Sequence, residues 1–175
     1  MHPTDYFYTP ALMLACSNVV SGYADGTFRP SANTTRSQLA KMVVGAARLP
    51  TNTTGGPHFS DVAPGSTFYE VIETAFNAGI LSGYSDGTFH PSANVTRGQI
   101  AKIVVGAAHW DPDTTGGPHF SDVPSSNVFY TFIETMYNHG AISGYADGTF
   151  RPGASATRGQ IAKILYGGFL GPPTR

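Results

Sequence analysis

The chain has 175 residues, enough to bury a core without disulfide or metal staples, and its 10 Lys plus Arg against 11 Asp plus Glu give a formal net charge of -1. That balance offers no electrostatic pull on nucleic-acid phosphates or anionic lipid, so neither is expected as a partner. Hydrophobic residues make up 41% and charged residues only 12%, which leaves Gly, Thr, Ser and Pro to cover the surface and suits an extracellular protein better than a cytosolic one.

The longest apolar stretches, 100–108 and 11–16, fall well short of the roughly 20 residues that cross a bilayer, so no membrane insertion is expected. The amino terminus, MHPTDYFYTP, has no basic region followed by an apolar core and is not a signal peptide; a surface protein in this form reads as a mature or excised piece. Cys16 is the one cysteine, so an internal disulfide is impossible.

The sequence repeats. SGYADGTFRP at 21–30 returns as SGYSDGTFHP at 82–91 and SGYADGTFRP at 143–152, and the starts Ser21, Ser82 and Ser143 are evenly spaced. TRSQLAK from Thr35 and TRGQIAK from Thr96 and Thr157 keep the same register, as do Phe7-Tyr8, Phe68-Tyr69 and Phe129-Tyr130. One domain of three units follows: 1–50, 51–111 and 112–175. The second and third open with TNTTGGPHFSDV and DPDTTGGPHFSDV, whose Thr, Gly and Pro content marks exposed linkers.

Taken in order, each unit begins with a helix. FYEVIETAFNAG sets Phe68, Val71, Ile72, Ala75 and Phe76 on one face, with Gly79 as a left-handed cap. GYSDGTF follows, where Asp86-Gly87 between short β-prone pieces predicts a β-turn or small hairpin. Thr96, three residues before Gln99, then predicts a capping box opening a second helix with Ile100, Ile103, Val104 and Ala107 on one face. Neither helix can bury its stripe alone, so a mainly α fold is expected, with three helix-turn-helix units packed around a pseudo-threefold axis.

The succession of FSDV, an amphipathic helix, a GYxDGTF turn and a TRxQ helix start resembles the S-layer homology (SLH) family over nearly the whole chain. The resemblance implies a pseudo-trimer with a central helical bundle. It also implies grooves between motifs that bind secondary cell-wall polysaccharide, often pyruvylated, and so a non-catalytic anchoring role at the cell surface with no cofactor. The family's helix-start element falls on Arg36, Arg97 and Arg158, which become candidate ligand-binding cations: a planar guanidinium pairs with a pyruvyl carboxylate or phosphate, and a helix N-terminus would add free backbone donors. Lys41, Lys102 and Lys163 could add a second charge, and Tyr23, Tyr84 and Tyr145 could stack on sugar rings. The bland readings stand beside these: each Arg as a clamp on loop carbonyls, each Tyr as cover for a core edge. Gln38, Gln99 and Gln160 stand where the family has an acidic residue; Ser37, Gly98 and Gly159 replace its alanine, the glycines weakening the helix start.

Other constellations carry less. Asp25, Asp86 and Asp147 supply one carboxylate per turn where calcium needs several oxygens, so turn chemistry is expected. His58 and His119 recur without a second ligand at metal spacing, and His90 and His139 are each peculiar to one unit; no metal site and no catalytic constellation is read from them. Asn33, Asn52 and Asn94 begin N-x-T triplets, which place them in exposed loops.

The first unit departs from the others. Leu12 and Met13 stand where Glu73/Glu134 and Thr74/Thr135 would form a polar face, which predicts self-association or contact with another domain through this helix. An FSDV segment for this unit would fall just before Met1, so the repeat is cut out of phase. Either the domain derives from a longer precursor or a neighbouring chain fills that site in a head-to-tail assembly. Two functions are therefore expected to compete: an anchor to wall polysaccharide, and a subunit that self-assembles into an extracellular filament, tube or lattice.

Overall fold

The structure is a computed structural model that describes residues 1–171. The helices alternate first and second members of each unit: α1 (Tyr8–Cys16), α2 (Arg36–Ala46), α3 (Tyr69–Asn77), α4 (Arg97–Ala107), α5 (Tyr130–Asn138) and α6 (Arg158–Leu165), with a π-helical turn at Tyr166–Leu170. The mainly α, three-unit architecture read from the repeat is the one observed.

Each second helix opens with the predicted capping box. Thr35, Thr96 and Thr157 accept from the backbone N–H of Gln38, Gln99 and Gln160, whose side chains accept in return from the Thr backbone. Leu39, Val43, Ile100, Val104, Ile161 and Leu165 are fully buried at the centre. Gly79 has the positive φ of 71 expected of the cap after α3. In the first unit Asn18 holds the corresponding position at φ 58.

The GYxDGTF segments are tight loops without strands. Tyr84 donates to the Thr88 carbonyl at 2.8 Å, and Asp86 accepts from the Thr88 N–H at 3.0 Å and hydroxyl at 2.6 Å. Asp25 and Asp147 repeat the pattern. The expected turn role of these aspartates is what the geometry gives. Among the described residues no cluster of three His, Cys, Asp or Glu side chains forms.

Closure happens on the axis. Thr34 N–H donates to the Ala156 carbonyl at 3.1 Å, Ala156 to Val95 at 3.0 Å and Val95 to Thr34 at 3.0 Å, a three-membered backbone ring with one residue from each unit. Three isolated bridges surround it, Thr35 with Asn94, Thr96 with Ser155 and Thr157 with Asn33. Outside the ring, α2 packs on α3, α4 on α5, and α6 on α1, so each unit leans on the next and the last leans on the first.

Candidate functional site: three grooves between units

Ring closure creates three related grooves of about 550, 660 and 580 Å³. The first is formed by Tyr23, Gln38 and Lys41 of one unit, Phe68 of the next and Arg158 of the third. Tyr84, Gln99, Lys102, Phe129 and Arg36 repeat this arrangement. Tyr145, Gln160, Lys163, Tyr6 and Arg97 form the last, with Tyr6 standing where the others have phenylalanine. The Arg, Lys and Tyr triplets singled out in the sequence are thus brought together, but each Arg meets the Tyr and Lys of a different unit.

The guanidinium groups are clamps first. Arg36 is buried; its Nε donates to the Phe89 carbonyl at 2.7 Å and its Nη2 to that of Ser82 at 3.0 Å. Arg158 does the same to Phe28 at 2.9 Å and Ser21 at 3.1 Å, and Arg97 Nε reaches Phe150 at 2.7 Å. Arg36 also lies 5.0 Å from the Tyr84 ring centroid and 4.5 Å from that of Phe89, so tyrosine and phenylalanine flank the cation. Burial pushes the Arg36, Arg97 and Arg158 pKa values below the usual arginine value, opposed by the neighbouring tyrosines. All three remain cations at neutral pH. The lysines are exposed along the groove walls.

One expectation is corrected here. The helix starts offer no free donors: Arg36 N–H goes to the Ala93 carbonyl, Ser37 N–H to Pro91 and Gln38 N–H to Thr35 Oγ1, with equivalent bonds at α4 and α6. Their donors hold units together and are not left for an anion. The glycines at these starts also have a packing reason, since a Cβ on Gly98 would sit 2.5 Å from the Phe129 ring.

A second correction concerns the supposed polar face of the first helices. Glu73 and Glu134 are fully buried. Glu73 accepts from the His58 backbone N–H at 3.1 Å and pairs with the His58 ring Nδ1, and Glu134 holds His119 in the same way. Thr74 accepts from Asn52 N–H at 3.0 Å, while Asn77 donates to the Asn52 and Thr54 carbonyls. The linkers are therefore fastened to α3 and α5. Sequence reasoning missed this because His58 and Glu73 belong to different segments; their joint recurrence as His119 and Glu134 was the available signal.

In that unit Leu12 and Met13 are 47% and 42% exposed, beside exposed Ala15 and Cys16. The three N-x-T asparagines are exposed as expected.

Comparison with known proteins agrees with this architecture. The S-layer homology domain family matches residues 1–40, 58–101 and 119–162, one segment per unit. The chain is 33% identical to cell surface glycoprotein 1 of Acetivibrio thermocellus over 159 residues, 82% of this chain and 7% of that protein. It is 28% identical to the cellulosome-anchoring protein of the same organism over 153 residues, 83% of this chain and 34% of that one. With S-layer protein sap of Bacillus anthracis it shares 25% over 166 residues, 93% of this chain and 20% of that one. The chain thus spans between 7% and 34% of the length of these relatives. With three matched segments coinciding with three structural units, the chain belongs to the S-layer homology family.

Proposed function

We propose that this chain is a non-catalytic cell-surface anchoring module whose three inter-unit grooves bind an anionic cell-wall polysaccharide, with pyruvylated sugars as the best-matched ligand. The carrying observation is charge: each groove is lined by one Arg and one Lys and by no carboxylate, in a chain whose formal net charge is -1. The tyrosine and phenylalanine walls suit the apolar face of a sugar ring, and guanidinium and ammonium donors suit a carboxylate or phosphate on it. Relatives named as S-layer, cell-surface and cellulosome-anchoring proteins support an extracellular setting at the wall.

The test is sedimentation with wall sacculi, with and without their polysaccharide, using wild type and a Lys41→Ala/Lys102→Ala/Lys163→Ala variant. The lysines are exposed, so the variant should fold normally. Polysaccharide-dependent sedimentation that weakens in the variant and with added salt is expected; equal binding by both proteins would overturn the assignment of these grooves.

The second reading, a self-assembling subunit, is favoured by the exposed Leu12 and Met13 on α1. Electron microscopy without glycan tests it: ordered filaments or sheets that disperse on Leu12→Glu with Met13→Thr would make assembly the primary role. Dispersed particles in both cases would remove it.

A further inference from the structure

The three grooves between units are built alike, but their arginines are not equally engaged. Arg36 and Arg158 each spend two guanidinium nitrogens on carbonyls, the second bond going to Ser82 at 3.0 Å and to Ser21 at 3.1 Å. Arg97 makes the first of these bonds, from Nε to the Phe150 carbonyl at 2.7 Å. Among the described residues its two terminal nitrogens have no hydrogen-bond partner. Arg97 is nevertheless only 6% exposed, and it lines its groove. Hydrogen bonds from an ionised donor are the strong ones, so a guanidinium arm that the protein leaves unbonded in a groove favours an anionic acceptor there.

The difference lies in the backbone opposite the cation. Gly144 has φ 66, whereas its counterparts Gly22 and Gly83 stay out of the left-handed region. The peptide plane between Ser143 and Gly144 is turned accordingly, and the Ser143 carbonyl does not accept from Arg97. The Ile142 N–H also lacks the bond that Val20 and Leu81 make to the Leu14 and Ala75 carbonyls. Ser143 meets Lys163 instead, whose Nζ donates to its hydroxyl at 3.5 Å. Gln160 Nε2 donates to the Tyr145 hydroxyl oxygen at 3.0 Å, which leaves the tyrosine O–H to donate elsewhere. Three donors therefore converge, from Arg97, Lys163 and Tyr145, and no carboxylate lines the groove with them.

We infer that the three grooves are unequal, and that the one holding Arg97, Tyr145 and Lys163 is the principal seat, taking a carboxylate carried on a wall sugar. One carboxylate oxygen accepts from the free arm of Arg97 and the other from Lys163, while the Tyr145 hydroxyl donates to a sugar oxygen beside them. In the other two grooves the carbonyls of Ser21 and Ser82 already occupy the arginine arm. There Lys41 and Lys102 meet the anion without a free guanidinium, and the ligand is held more weakly. Resting on the anchoring role proposed above, this makes the module one tight site with two weak ones, not three equal ones.

The test takes wall sacculi bearing their polysaccharide and the full chain as wild type and as single variants Lys41→Ala, Lys102→Ala and Lys163→Ala, all at exposed positions. Binding in sedimentation should weaken about tenfold for Lys163→Ala and less than about twofold for either of the others. In parallel, polysaccharide released from the same sacculi is titrated into arginine-labelled protein and followed by NMR. The Arg97 Nε–H resonance should shift at lower concentration than those of Arg36 and Arg158, and polysaccharide whose carboxyl groups have been reduced to alcohols should leave it in place. Equal losses from the three variants, or arginine resonances that move together, would overturn the inequality and leave the anchoring role standing. An Arg97 shift that survives carboxyl reduction would overturn the carboxylate as the bound group. A wild-type chain that fails to sediment with polysaccharide-bearing sacculi would overturn both this inference and the role on which it rests.

Discussion

Glu73 and His58 form the joint between a linker and the helix it crosses: a fully buried carboxylate accepts both the backbone and the ring N–H of a partly exposed histidine. Glu73→Ala leaves those donors without a partner and opens the linker. The expected cost is about 2–3 kcal/mol, read as a lower urea midpoint, and Glu134→Ala should match it. Leu12→Glu, at the exposed counterpart, should leave the monomer's stability nearly unchanged.

Gly83 and Gly22 hold the same place beside the loop in the second and first units and give a paired test of packing there. A Cβ on Gly83 would meet Phe59 at 2.4 Å and the Thr88 carbonyl at 2.6 Å, whereas one on Gly22 meets only the Thr27 carbonyl at 3.1 Å. Gly83→Ala should destabilise by about 1–3 kcal/mol and Gly22→Ala by clearly less, as measured by thermal melts of the two variants side by side.

Among the described residues, Thr34 Oγ1 on the axis is a buried polar atom without a partner, at the position held by Val95 and Ala156 in the other units. Its backbone N–H and carbonyl serve the ring and are untouched by substitution. Thr34→Val should therefore raise stability by about 1 kcal/mol. A drop in chemical-denaturation midpoint would show that the hydroxyl is satisfied.

Acid should loosen the turns. The Thr149 hydroxyl and the Arg151 guanidinium hold Asp147 at about 2, below its ordinary 3.8, and Arg29 and Thr27 lower Asp25 further. A carboxyl group lowered on folding stabilises the fold above its unfolded value and loses that contribution as pH falls through the folded one. The window for Asp147 therefore runs from about 3.8 down to about 2. Melting temperature followed from pH 6 to pH 2 should fall less steeply in an Asp25→Asn/Asp147→Asn variant than in wild type.

Local signals told the truth. The Thr96–Gln99 box, the Gly79 cap and the Asp86 turn depend on neighbours within a few residues, and each appears where the spacing put it. The grooves were legible only as a list of repeated residues, because Arg36 finds Tyr84 and Lys102 through ring closure, whose direction no single unit encodes. The same long-range geometry turned the α2 helix start from an offered anion site into a unit contact. It also took Glu73 out of solvent, since its partner lies on a linker whose composition reads simply as exposed.

The backbone ring of Thr34, Val95 and Ala156 treats its three members alike, although the chain reaches them in sequence. Because α6 rests on α1 as α2 rests on α3, no unit is architecturally the first. A polypeptide opened within 51–54, with its old ends rejoined through a copy of the linker at 48–62, would trace the same object from a different starting point. Numbering along such a fold is a matter of where synthesis begins, and what distinguishes the units is the chemistry each displays.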